Sequence, residues 1–442
     1  MNRRDFIAGG AAACALPSWA AMFAQTIAAG ARHPSVGHAL APWKNGHFQI
    51  HFIYTGVAES IFLVYPDGTS LLIDCGDIAA HKRGKYAVPI LPGLERHAGE
   101  WIARYVMRVN PRREKVDYML LTHYHSDHGG GRGYHAGLAP NGEYYLSGFG
   151  QAMEWLSFGK AIDRAWPTFD DPLPRRPEDD TWMVAHMQGV YRELERRGTV
   201  VERFRLEKDS DQLRPLHGDA QGFSIRPLCA NGRVLMPDGA VRDLYADFIA
   251  WTKTRSLYAD FIAWTKTRSL NENAMSIGMK FTYGPFGFYT AGDFEDRQRQ
   301  RDGSKWEIEE AMAEAVGPAT VAKLDHHGNS AMCEKLVAAL RSQVYVGCIW
   351  DWFHVDDATM TRLADRSLYD GDRLLCPGIL TKERRARDAQ RPWLTDVPEA
   401  CYEGAHVVVD VPPGGKEFAV SFVSAADESM RVASCIDMRT RI

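Results

Sequence analysis

The stretch LLTHYHSDHGGG, Leu120 to Gly131, gathers His123, His125, Asp127 and His128 into six residues between an apolar run and three glycines. Imidazole and carboxylate are the donors that suit zinc and related divalent ions. On an extended strand end, side chains two apart project to one side, so His123 and His125 point together while Asp127 and His128 fall on the turn that follows. One short loop can therefore serve two ion sites. Gly129, Gly130 and Gly131 let the backbone approach the ions without Cβ clashes.

Donors of this kind need elements that bring partners to them. From His47 the chain reads as strands, FQIHFIYTG, SIFLVYPDG and TSLLIDCGD, with a hairpin turn at Pro66 to Gly68. HAGEWIARYVMRV, His97 to Val109, carries apolar residues at helical spacing, and KVDYMLLTH, Lys115 to His123, is a short buried strand. The histidine cluster thus sits at the C-terminal end of a strand that follows a helix, where α/β folds place ligand sites. SIGMKFTYG and FGFYTAGDFED are two more strand-like runs, the second ending at Asp293. EIEEAMAEAV, Glu307 to Val316, reads as a helix, and ATVAKLDHHGNS as a strand running into His326 and His327. CEKLVAALRSQVYVGCIW is helix then strand, and AHVVVDVPPGGKEFAVSFV a last hairpin around Pro412 to Gly415. This order predicts two mixed sheets face to face with helices outside.

Two segments stand apart from that pattern. Tyr144 to Arg214 is rich in Trp, Pro and charge and reads as an insertion over the active-site face. LYADFIAWTKTRS occupies Leu244 to Ser256 and again Leu257 to Ser269. Thirteen residues turn a helix by about 1300°, leaving the second copy's apolar face roughly 140° from the first, and an odd shift reverses the faces of a strand. Both copies cannot make the same contacts, so one is expected to be extruded as a loop or extra turn.

The motif THYHSDHGGG resembles the signature of the metallo-β-lactamase superfamily. LLIDCGD is similar to the family's early strand ending in Asp74, TAGDFED to the strand that delivers a bridging aspartate, Asp293, and LDHHGNS to the late histidine motif. NENAMSIGMKFTYGPFGFYTAGD, DHHGNS and DWFHVDD look most like the hydrolase domain of bacterial DNA-uptake (competence) channel proteins and their stand-alone relatives. The resemblance covers Gly46 to Val423 in scattered motifs, with Tyr144 to Arg214 unmatched. It implies an α/β fold, the four-layer αββα sandwich, over residues 46–442.

The same resemblance implies one ion on His123 and His125 and a second on Asp127, His128 and His326, with Asp293 between them. His327 is the alternative to His326, because both precede Gly328 and spacing does not choose. The implied ions are two Zn2+, with Mn2+ or Fe as alternatives. Asp127 is implied as the group that takes or passes a proton, His354 as a substrate-side histidine and Asp74 as an orienting carboxylate. One departure is clear. The family's third histidine for the first ion follows a strand as LHP, whereas here IRPLCANG places Cys229 at that point, as a thiolate ligand or a buried small residue; His217 and His135 are weaker substitutes. Two ions about 3.5–4 Å apart acidify a shared water toward a pKa of about 7, so no serine or cysteine nucleophile is required.

The rest of the chain bounds the setting. Its 442 residues, 45% apolar and 24% charged, have ordinary globular composition. A net charge of -4 gives no overall basic field, so stable nucleic-acid binding is not expected; the densest basic run, KERRARDAQR from Lys382 to Arg391, reads as a solvated helix face. Arg3, Arg4, an Ala-rich run and small residues around Ala20 to Ala29 resemble a bacterial twin-arginine export signal over residues 1–30. The translocase is then a partner during export, the location periplasmic or secreted, and no membrane association is expected after cleavage. Eight cysteines without a CxxC pair argue against a zinc ribbon.

The leading expectation is an exported metal-dependent hydrolase acting on a phosphodiester or nucleotide. The alternative substrate is a carbonyl compound, a lactone, thioester or β-lactam, with the Trp-rich segment walling an apolar pocket. A metal-poor binding protein on the same fold is the reading that the missing third histidine favours.

Overall fold

The computed structural model describes residues 33–78, 87–132, 136–172, 181–246, 272–296 and 308–441. The proposed export signal, His135 and all of the tandem repeat except Leu244 to Ala246 lie outside them.

Alternation along the first strand shows how two layers form. In β1 (Phe48–Phe52) every residue is buried, because the strand is covered on both faces. Phe48 and Phe52 point one way, their rings 6.2 and 5.7 Å from those of Phe281 and Phe288 in the second sheet. His51 points the other way, its Nδ1 3.1 Å from Tyr105 Oη on an outer helix. β2 (Ile61–Val64), β3 (Ser70–Ile73), β4 (Lys115–Leu120), β5 (Ser157–Asp163) and β6 (Val200–Arg203) extend this sheet on one side. β15 (Ala405–Val411), β16 (Glu417–Ser424) and β17 (Val432–Arg439) extend it on the other. The order is β17-β16-β15-β1-β2-β3-β4-β5-β6, parallel from β3 to β6 and antiparallel elsewhere.

The second sheet runs β14-β13-β12-β11-β10-β7-β8-β9. Its strands are β7 (Phe223–Ala230), β8 (Arg233–Leu235), β9 (Val241–Asp243), β10 (Gly278–Tyr283), β11 (Phe286–Ala291), β12 (Val321–Lys323), β13 (Val344–Val346) and β14 (Leu374–Cys376). From β11 to β14 it is parallel. Outside the first sheet lies α1 (Ala98–Val109), which buries Trp101, Ile102, Tyr105, Val106 and Val109 and leaves Arg104 and Arg108 to grip Glu428, each at 2.7 Å. α5 (Ile308–Val316) contacts β7 and β8 of the second sheet. The layers are helix, sheet, sheet, helix, the α/β sandwich expected.

Tyr144 to Arg214, expected as an insertion over the active-site face, instead supplies part of the first sheet. β5 and β6 continue it in parallel from β4, with α3 (Phe149–Ala152) preceding β5 and α4 (Thr181–Arg196) preceding β6. β5 is exposed at its start, at Ser157 and Gly159, and buried from Ala161 to Asp163. α4 packs behind the metal-type loop: a Cβ on Gly129 would lie 2.4 Å from Met183 Cε and 3.2 Å from Met187 Sδ. No helix among the described residues is long and apolar enough to cross a membrane.

Strand ends fix where chemistry can occur. Asp74, His123, Asp293 and His327 each follow the C-terminal end of a strand, β3, β4, β11 and β12 respectively. Both parallel halves therefore deliver polar residues to one edge of the sandwich.

Candidate metal centre

The loop after β4 is held before its side chains are considered. Cys75 N–H donates to His128 O at 2.7 Å, Asp77 N–H to Ser126 O at 2.7 Å and Glu59 N–H to Asp127 O at 2.8 Å. The approach is so close that a Cβ on Gly76 would sit 1.8 Å from Asp127 O, so only glycine fits. Asp127 and His128 lie on the short turn α2 (Ser126–Gly129). Between the first two histidines, Tyr124 N–H donates to Glu272 Oε1 at 2.9 Å and its hydroxyl to Asp163 Oδ2 at 2.6 Å. Buried Arg164 clamps the same Glu272 through two bonds of 2.8 Å.

Second partners set which ring nitrogen is offered. Asp74, at φ +57°, accepts from Thr122 N–H at 2.8 Å and Thr122 Oγ1 at 2.7 Å, and its Oδ2 lies 2.7 Å from His128 Nδ1. Cys348 O lies 2.6 Å from His327 Nδ1. Each Nδ1 thus carries its proton toward an acceptor, and each Nε2 is left as a lone pair. Both lone pairs face Asp293 Oδ2, at 3.1 Å from His128 and 3.3 Å from His327, and His327 Nε2 is also 3.0 Å from Asp127 Oδ2. His123 Nε2 lies 3.7 Å from Asp293 Oδ2 and 3.1 Å from His125 Nδ1. His123, His125 and Asp293 bring donor atoms within 4.8 Å of one another.

Lone pairs opposed at about 3 Å require a cation or a proton between them, so this donor set fits divalent ions. The charges agree. Burial pulls the His327 imidazole down, but Asp293 and Asp127 outweigh it and hold it up to about 10. Burial opposes ionisation of Asp127 and Asp293, yet the facing histidines hold both carboxyls well below the usual range. The pocket is built around positive charge.

Residues 54–190 match the family model described as the Metallo-beta-lactamase superfamily. That stretch is a metallo-β-lactamase superfamily domain. It contains Asp74 and the whole of His123 to His128, while Asp293 and His327 reach the same point from beyond it. No curated protein matches the chain.

At this site the structure corrects the expectation for His326. Its Nδ1 is 2.7 Å from Asn329 O and its Nε2 3.4 Å from Asn273 Nδ2, so the ring turns to the rim, and His327 faces the cluster. Both residues have positive φ, 46° and 55°, and the deciding contact is the Cys348 carbonyl. Cys229 is also placed away from the donors: its thiol is buried, 3.8 Å from Ser276 O, and burial pushes it up, so it is a small core residue. His217 lies 2.8 Å from Asp117, elsewhere.

Two charged residues were not read from the sequence. Lys323 is fully buried at the end of β12 and donates to Ala291 O and Gly292 O at 2.8 Å, with Glu59 Oε1 at 2.9 Å and Asp293 Oδ1 at 3.8 Å. It anchors the strand end that carries Asp293. Glu59, in the YTGVAES turn, joins His128, Asp293 and His327 within 4.8 Å. It lies on the Nδ1 side of His327 at 3.4 Å, whereas Asp127 lies on the Nε2 side; Asp127 is therefore the donor that shares the pocket with the free lone pairs. A lysine inside the apolar run TVAKLD was the available signal for this pair.

The loop after β13 closes one wall. Trp350 Nε1 donates to Asp127 Oδ2 at 2.7 Å. His354 stacks on His327 with centroids 5.0 Å apart and meets Trp350 edge-on at 4.7 Å. Its Nδ1 has no hydrogen-bond partner among the described residues, and burial, then His327, hold it well below the usual range and so neutral. Arg384, on α6 (Lys382–Arg387), holds this loop through Trp352 O at 2.8 Å, His354 O at 2.6 Å and Val355 O, with Asp388 at 3.2 Å. The basic run thus turns one arginine inward.

Proposed function

We propose that the chain is an exported metal-dependent hydrolase, with zinc as the resident ion and a phosphodiester or nucleotide as substrate. The observation that carries this reading is the convergence of His128 Nε2 and His327 Nε2 on Asp293, with Asp127 meeting the same His327 nitrogen. Asp127, His128, Asp293 and His327 would hold one ion, and His123 and His125 with Asp293 the other. Bound divalent ions supply Lewis acidity and lower the pKa of a coordinated water. The protein's own groups do the rest. Asp74 and the Cys348 carbonyl keep two imidazoles in the ligating tautomer. Asp127, with Oδ2 engaged by Trp350 and His327, takes the proton of the attacking water at Oδ1. His354 offers a neutral imidazole to the substrate's leaving oxygen. The paired arginines at positions 3 and 4 support the twin-arginine route.

A carbonyl substrate is the second reading, favoured by the exposed Phe353 ring beside His354, 4.5 Å between centroids. The test is a panel of bis-aryl phosphodiesters, nucleic acids, lactones, thioesters and β-lactams on zinc- and manganese-loaded protein. Phosphodiester turnover abolished by His125→Ala supports the first reading, and turnover of lactones, thioesters or β-lactams alone supports the second. A folded, metal-loaded protein inert to the whole panel would contradict both.

A further inference from the structure

A second set of metal-type donors lies on the edge strand of the nine-stranded sheet. β17 ends that sheet, pairing only with β16 among its strands. Cys435 and Asp437 are two residues apart on it, opposite Ser421 and Ala419, and so project from the same face. The chain that leads into the sheet crosses beside them: Gly37 N–H donates to Val432 O at 2.9 Å, Val432 N–H to His38 O at 2.8 Å and Leu40 N–H to Met430 O at 2.7 Å. That path sets His33 over the strand, with Nε2 3.3 Å from Asp437 Oδ2. The imidazole, thiol and carboxylate of His33, Cys435 and Asp437 offer donor atoms all within 4.8 Å of one another.

We infer that His33, Cys435 and Asp437 form a second metal site, separate from the histidine-rich centre, that takes one zinc-class transition ion. The donor types select the ion. Calcium and magnesium take oxygen ligands, whereas sulfur with imidazole and carboxylate suits zinc and its first-row neighbours. Two donors each about 2.0–2.1 Å from a tetrahedral ion stand about 3.3–3.4 Å apart, the spacing found between His33 Nε2 and Asp437 Oδ2. Ser35 braces the ring at Nδ1, with its Oγ 2.6 Å away and its backbone N–H donating at 3.3 Å, so Nε2 is the nitrogen turned toward Asp437. Three protein donors leave a fourth position to water. Cys435 is not in a disulfide and is partly buried, 3.3 Å from Ser421 Oγ. An ion here would fasten the segment around His33 to the exposed edge of the sheet.

Cobalt titration of the metal-free full chain, kept reduced, reads the site directly. Cobalt bound by a thiolate gives a sulfur-to-metal charge-transfer band, which a centre of imidazoles and carboxylates cannot give. The expected result is such a band in the wild-type protein. It is lost in Cys435→Ser, with one ion fewer per chain and unchanged circular dichroism. His33→Ala weakens cobalt affinity at the band by at least about tenfold. His128→Ala, in the other centre, keeps the band. Cobalt binding by folded wild-type protein without the band, or a band that survives Cys435→Ser, would overturn the assignment.

Discussion

Trp350 Nε1 donates to Asp127 Oδ2 across 2.7 Å, joining the loop after β13 to the carboxylate of the HYHSDH motif from 223 residues away. The bond engages one oxygen of Asp127 and leaves the other for proton transfer. Trp350→Phe keeps the ring and removes the donor. A hydrogen bond to a charged group contributes about 1.5–3 kcal/mol, so turnover is expected to fall about tenfold or more, kcat more than KM, with metal content unchanged. Steady-state kinetics beside elemental analysis check this; an unchanged kcat would refute the role given to the indole.

Arg384 holds the same loop from the opposite side through three backbone carbonyls. Lysine carries the charge but not the planar fork. Arg384→Lys is expected to cost about 1–3 kcal/mol of stability and to lower kcat, because His354 and Trp350 lose their fixed placement, while bound metal stays at the wild-type level. Thermal unfolding, kinetics and metal analysis separate these effects. Loss of metal in step with activity would assign Arg384 to general folding.

Acid should destabilise the protein through two buried histidines behind the first sheet. Burial, then His406, lowers His51 from 6.5 to about 3, and burial lowers His406 to about 3 as well. The folded state therefore holds fewer protons than the unfolded chain between those values. The contribution is complete above pH about 6.5 and is lost as pH falls toward 3, on the order of 3 kcal/mol per group between pH 6.5 and 4. Unfolding midpoints measured against pH should fall less steeply below pH 6.5 in His51→Gln than in wild type. Parallel curves would exclude His51 as a contributor.

Local features were the legible ones. HYHSDH announced itself because all four donors lie on one strand end and turn, and β1 to β4, β10 to β12 and the β15–β16 hairpin follow from apolar runs broken by turn residues. What escaped depends on distant contacts. His326 and His327 share a turn with left-handed backbone, and only the Cys348 carbonyl 21 residues on orients the second ring inward. Lys323 and Glu59 are each unremarkable in sequence and become a buried pair only when β12 meets the turn before β2. Arg384 looked like one member of a solvated run, yet the carbonyls of residues 352–355 satisfy it inside. β5 and β6 were obscured by exposed Trp, Pro and charge in the chain around them, and β17 by its mixed burial.

The count of ions retained after dialysis in a Cys435→Ser background, with both histidines intact, with His326→Ala or with His327→Ala, tests the central claim most directly. The background protein and its His326→Ala variant are expected to retain equal metal, about two ions per chain. His327→Ala is expected to lose at least one of them, with hydrolysis. A folded protein that retains no metal, or one that loses it with His326→Ala and keeps it with His327→Ala, would contradict the account.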